Sequence, residues 1–102
     1  MKIIYFVQNE YNGLIEKNKE LEEIISKYLK GYTFSRIYKV DLAILKIAVY
    51  EMMFSKENTP AGVVINEAVE LAKKYSTDKS YSFVNGVLAS IKVGEVDGKA
   101  AN

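Results

Sequence analysis

The sequence predicts an all-α fold, a small irregular helical bundle wrapped around one central buried helix. Three observations carry the prediction. The stretch Val40 to Phe54, VDLAILKIAVYEMMF, has helix length, no glycine, no proline and apolar residues almost throughout. On both sides of it, apolar residues recur at helical spacing between capping residues. One proline and six glycines in 102 residues leave little room for long loops.

The central stretch sets the architecture. Its interior polar residues, Asp41, Lys46 and Glu51, are spaced five apart. At about 100° per residue that step turns a helix by roughly 140°, so the three point in different directions and form no solvated face. A helix apolar nearly all round is covered on most sides. The stretch is short for a membrane span, which needs about 20 mostly apolar residues. The three charged side chains are expected to reach water past their packed neighbours.

The flanking elements follow in order. IIYFV near the start reads locally as strand, yet Ile3, Val7, Tyr11 and Leu14 fall at helical spacing, which favours a helix ending near Gly13 to Asn18. In Lys19 to Lys30, Leu21, Ile24, Ile25, Tyr28 and Leu29 form one stripe. Its first turn is acidic and its last basic, which complements the helix dipole. Glu23 and Lys27 are placed for an i,i+4 pair. Asn18 is a candidate cap, and Gly31 suits a left-handed residue past the end. Thr33 to Ile37 reads as a short capped turn. Thr59-Pro60 reads as a helix start, a capping hydroxyl before a proline at the first position. The helix that follows has Ala61, Val64, Ile65, Ala68, Leu71, Ala72 and Tyr75 as its stripe, with Asn66, Glu67, Glu70, Lys73 and Lys74 outward and Glu70 to Lys74 at i,i+4. Ser76-Thr77-Asp78 is a second capping cluster, before a last helix with Val84, Val87, Leu88 and Ile91 as its core stripe. One domain over 1–92 and a flexible tail over 93–102 are expected.

Composition narrows the function. The hydrophobic fraction of 49% with 26% charged residues is that of a globular chain. No cysteine means no disulfide and no thiolate metal site, and no histidine removes the usual proton shuttle and the commonest metal ligand. No carboxylate, lysine, serine or tyrosine spacing favours catalysis, so neither an enzyme nor a cofactor is expected. No signal-peptide pattern is present, and a cytoplasmic location is the default expectation. Net charge is +1, with Arg36 as the single arginine. A nucleic-acid contact would therefore be local, weak or shared with a partner.

VDLAILKIAVYEM, then VVINEAVELAKKYS, then SFVNGVL resemble the C-terminal part of the NusB transcription antitermination family. The resemblance extends less specifically back through YFVQNEYNGLIEKNKELEEIISKYLKG, and so covers roughly residues 5 to 91. It implies an all-helical NusB-like domain without catalysis. It also implies binding to boxA-type single-stranded RNA together with a small-subunit ribosomal protein (NusE), within the transcription elongation complex. Family members usually begin with two further helices, the first Arg-rich and touching RNA. This chain resembles the family from its third helix, so the main basic element is expected to be missing from it: the chain is a fragment, a divergent member, or one whose missing half another subunit replaces. Ile3, Ile4 and Phe6 would then be exposed, and a homo-oligomer is expected. The alternative is a helical protein-interaction or dimerisation domain that has lost RNA binding.

Within that picture, Phe83 and Lys79 are candidate RNA contacts, an aromatic to stack an unpaired base and an ammonium to meet phosphate. The competing role for Phe83 is core. Asn85 precedes Gly86 in a helix, where a glycine costs about 1 kcal/mol relative to alanine. Close approach of another helix or of a ligand would compensate, and Asn85 is placed to bond a base edge. Lys73 and Lys74 gather with Lys79 at the junction of the last two helices as phosphate contacts, with Tyr28 joining them or packing in the core. Asn66, Glu67 and Glu70 read as a solvated face rather than a metal or acid–base site. Asp41 and Glu51, if exposed at their tips, would meet a basic protein partner.

Overall fold

Eleven apolar residues among fifteen, facing all round one helix, have little choice but to be enclosed, and the other helices are arranged to enclose them. The computed structural model describes residues 11–55 and 59–98. In chain order these form α1 (11–16), α2 (Asn18–Lys27), a 3₁₀ turn (Phe34–Arg36), α3 (Lys39–Met53), α4 (Ala61–Tyr75), α5 (Ser80–Ile91) and a π-helical turn (Lys92–Asp97). No strand occurs among the described residues. None of their helices is long and apolar enough to cross a membrane.

α3 packs against α2, α4, α5 and the π-helical turn, and α4 pairs most extensively with α5. Leu45 and Val49 are fully enclosed, beside Ile44, Ala48 and Tyr50. The stripes read from the sequence supply the covering surfaces: Leu21 and Ile25 from α2, Val64, Ile65, Ala68 and Ala72 from α4, and Val84, Val87, Leu88 and Ile91 from α5. Each fully buried aliphatic side chain contributes roughly 1.5–3 kcal/mol. Two expected stripe residues, Tyr11 and Tyr75, are instead exposed. Ile3, Ile4, Phe6 and Val7 lie outside the described residues.

The charged points on α3 do not all reach water. Lys46 does so in part, and its Nζ meets Glu22 Oε2 at 2.8 Å. That ammonium, by hydrogen bond and charge, lowers the Glu22 carboxyl below its ordinary value. Asp41 and Glu51 are buried instead. For Asp41 the reason is visible, since two serines from the α4–α5 junction satisfy it internally.

Helix ends depart from the capping expected. α2 begins after Lys17, and Asn18 lies inside it with no side-chain cap. The chain hardly breaks there: Lys17 N–H donates to Gly13 O at 3.0 Å and Leu21 N–H to Lys17 O at 2.9 Å, so no free helix start awaits a cap. The Thr33 hydroxyl contacts Ser35 Oγ at 3.0 Å rather than capping the 3₁₀ turn. α4 starts one residue later than expected, with Pro60 as its cap position, and no side chain caps it. Gly31 takes the left-handed conformation expected, φ 95°, and Lys30 joins it at φ 49°.

The surface pairs also differ. Lys27 turns from Glu23 to Glu95, at 3.8 Å, and Glu70 pairs with Lys73 at 3.7 Å rather than with Lys74. The former contact belongs to the C-terminal segment, which carries structure as far as Asp97 where a loose tail was expected from residue 93. Tyr28 Oη donates to Glu95 Oε2 at 2.6 Å. That approach requires Gly94, because a Cβ there would collide with the Tyr28 hydroxyl. Gly13 likewise leaves room for the hydroxyl of Tyr50.

Candidate nucleic-acid interface

The polypeptide between α2 and α3 and the start of α5 face each other across an open groove of about 630 Å³. One wall is Tyr32, Arg36, Ile37 and Tyr38; the other is Thr77 to Phe83. The first wall exists because the left-handed pair Lys30-Gly31 ends α2 sharply and sends the chain out through the 3₁₀ turn. The second exists because α5 restarts five residues after α4 ends.

Aromatic surface dominates. Tyr32 is 55% exposed and Tyr38 53%, and Tyr81 is exposed on the opposite wall. Phe83 is half-buried, rests against the core, and meets Tyr32 edge-on with ring centroids 5.2 Å apart. Phe83 is thus part core and part groove wall. Arg36 and Lys79 are exposed cations on opposite walls. Among the described residues neither forms an ion pair. Asp41 and Asp78 also line the groove. Its formal charge is thus balanced, and its binding capacity lies in ring faces and donors more than in a strong positive field.

The remaining candidates scatter. Lys73 lies beside the groove, its ammonium 5.2 Å from the centre of the Tyr81 ring. Lys74 sits over Tyr75 at 5.4 Å, a ring outside the groove lining. Asn85 is exposed on α5 but does not line the groove. A Cβ on Gly86 would meet nothing within 4 Å, so close helix packing is not what this glycine serves. Tyr28 is held by Glu95 at the far end of α5; the hydrogen bond, then burial, then the negative charge raise its phenol above the ordinary value.

Asp41 is 5% exposed and Glu51 6%, so neither offers a tip to a basic partner. Glu51 and Glu67 line the seam between α3 and α4, while Asn66 and Glu70 are exposed. No group of three or more acidic side chains among the described residues could hold a metal ion. Sequence reasoning missed Tyr32, Arg36, Tyr38 and Tyr81. For the first three the signal was there in YTFSRIYK, a short aromatic and basic run.

A family model described as the NusB family matches residues 2–92. "Transcription antitermination protein NusB" of Elusimicrobium minutum is 47% identical over 94 residues, 92% of this chain and 67% of that protein. The protein of the same name from Clostridium tetani is 56% identical over 79 residues, 78% of this chain and 51% of that one. The solved structure of T. maritima NusB superposes with a TM-score of 0.76 at 38% identity, covering 81% of this chain and 58% of the other. The chain thus spans between about half and two thirds of the length of these relatives. On the family match, the identities and the shared helical architecture together, the chain belongs to the NusB family.

Proposed function

We propose that this chain is a NusB-type RNA-binding and protein-interaction module of transcription antitermination, working by assembly rather than catalysis. It takes boxA-type single-stranded RNA into the groove together with a small-subunit ribosomal protein (NusE), as part of the transcription elongation complex in the cytoplasm. The observation that carries the reading is the groove itself, where Tyr32, Tyr38, Tyr81 and Phe83 stand around Arg36 and Lys79. Unpaired bases stack on aromatic faces while cations meet the phosphates. Lys73, beside Tyr81, extends the cationic edge.

Two cations and two carboxylates give little long-range attraction, so the chain alone binds weakly and the ribosomal protein supplies the rest. The test is a titration of labelled boxA-type RNA with and without that protein at two salt concentrations. Partner-dependent, salt-sensitive binding is expected. No binding in either arm overturns the reading.

The second reading, a helical interaction or dimerisation domain without RNA binding, is favoured by Tyr11 and Ile15, large apolar side chains left exposed on α1. A homo-oligomer formed through that face is compatible with either reading. A clean monomer at micromolar concentration in light scattering would count against it.

A further inference from the structure

Asp41 lies in the first turn of α3 and lines the groove, yet it is buried. Its two oxygens are divided between two serines. Ser76 Oγ donates to Oδ1, and Ser80 Oγ donates to Oδ2 at 2.8 Å. Ser76 ends α4 and Ser80 opens α5, so one carboxylate holds both sides of the α4–α5 junction. The Ser80 proton goes to Asp41, and the Ser76 proton is shared between Asp41 and Ser80 Oγ, 2.9 Å away. The Thr77 hydroxyl, 2.7 Å from Ser80 Oγ, is then the donor of that pair, and Thr77 N–H also donates to Ser80 Oγ at 3.2 Å. Among the described residues no cation pairs with Asp41. Its negative charge is met by hydroxyls and by the start of α5, the end of a helix that favours an anion.

We propose that Asp41 is a positioning residue for the groove: through Ser76 and Ser80 it clamps the α4–α5 junction, so that Lys79 and Phe83 stand fixed where RNA is bound. The inference rests on the RNA-binding reading for its functional consequence, but the clamp is a property of the free protein. Lys79 immediately precedes Ser80, and Phe83 lies three residues after it on the first turn of α5. The Asp41 carboxylate is buried and its oxygens are taken by the two serines, so it does not bind RNA itself. Its effect is on the disorder that binding would have to remove.

The experiment compares the full chain with Asp41→Asn, which keeps the shape, removes the charge and forces one serine to reverse its hydrogen bond. Amide hydrogen exchange over residues 77–83 of the free protein is the first readout, and affinity for labelled boxA-type RNA with the ribosomal partner, at two salt concentrations, is the second. Exchange in this segment is expected to rise roughly 10- to 100-fold, the scale of a lost hydrogen bond to a charged group, while the protected core of α3 changes less. RNA affinity is expected to fall with an unchanged salt slope, since no phosphate contact is lost. Unchanged exchange over 77–83 overturns the clamp, and so does RNA binding as tight as, or tighter than, that of the parent chain. A parent chain that binds no RNA refutes the function reading, while the exchange result still decides the clamp. If Asp41→Asn does not fold, Ser76→Ala, at a half-buried position, takes its place with the same two readouts and the same deciding outcomes.

Discussion

Phe83→Leu would separate core packing from the proposed base stacking at the groove's half-buried ring. Phe83 packs on the core with one part of its surface and on Tyr32 with another. Truncating a fully buried phenylalanine to alanine costs about 3–5 kcal/mol. A half-buried one costs about half of that, so Phe83→Ala would confuse unfolding with lost binding. Leucine retains most of the apolar volume and costs less than about 1.5 kcal/mol, but it has no ring face. A base stacked on an aromatic side chain is worth roughly 1–3 kcal/mol. At 1.4 kcal/mol per tenfold, RNA affinity should fall about 5- to 150-fold. The slope of log affinity against log salt should stay the same, because no charge is removed. Fluorescence anisotropy with labelled boxA-type RNA, at two salt concentrations and with the ribosomal partner present, reads both quantities, and urea unfolding reads stability. A stable Phe83→Leu variant that binds RNA as tightly as the parent chain would refute stacking at this position.

The other perturbations probe charge, tether and core. Lys79→Ala or Arg36→Ala should weaken RNA binding similarly for all sequences and reduce the salt slope by about 0.7 per lost phosphate contact; a change in sequence preference instead would argue against phosphate contacts. Because Tyr28 is held neutral with its phenol raised by Glu95, its contribution is complete below the unfolded value near 10 and is lost as pH rises through the higher folded value. Tyrosine absorbance should therefore show the Tyr28 phenol titrating late, with the π-helical turn losing exchange protection alongside it, and Glu95→Gln, which removes the negative charge, should move that phase to lower pH. Leu45→Ala, at a fully enclosed position of α3, should cost about 2–5 kcal/mol in urea unfolding; a loss below 1 kcal/mol would mean that α3 is not the enclosed centre of the fold.

What the sequence could express was local. The enclosure of α3 followed from apolar residues pointing in every direction, and the stripes of α2, α4 and α5 from their 3.6-residue period. Those are properties of single segments, and Leu21, Ala68 and Val84 lie where their spacing placed them. Caps failed for a reason that crosses segments: α1 runs almost directly into α2, so Asn18 had no open end to close. Asp41 failed more instructively. Its partners Ser76 and Ser80 lie 35 and 39 residues away. No local pattern distinguishes a carboxylate that will be satisfied by hydroxyls from one left in water. Tyr28 and Glu95, 67 residues apart, are the same case, and Gly94 reveals its purpose only once the tyrosine is seen beside it. The groove was half legible. Phe83 came through the SFVNGVL motif and Lys79 through the lysines gathered at the last helix junction, whereas Tyr32, Arg36 and Tyr38 joined the groove only when the turn after α2 folded back toward α5.

The most direct test of the groove as the RNA site is an amide NMR titration of the full chain with single-stranded boxA-type RNA. Shift changes gathered on residues 32–38 and 77–83 are the expected result. Changes confined to the outward faces of α2 and α4, with those two segments unmoved at saturating RNA, would contradict the account.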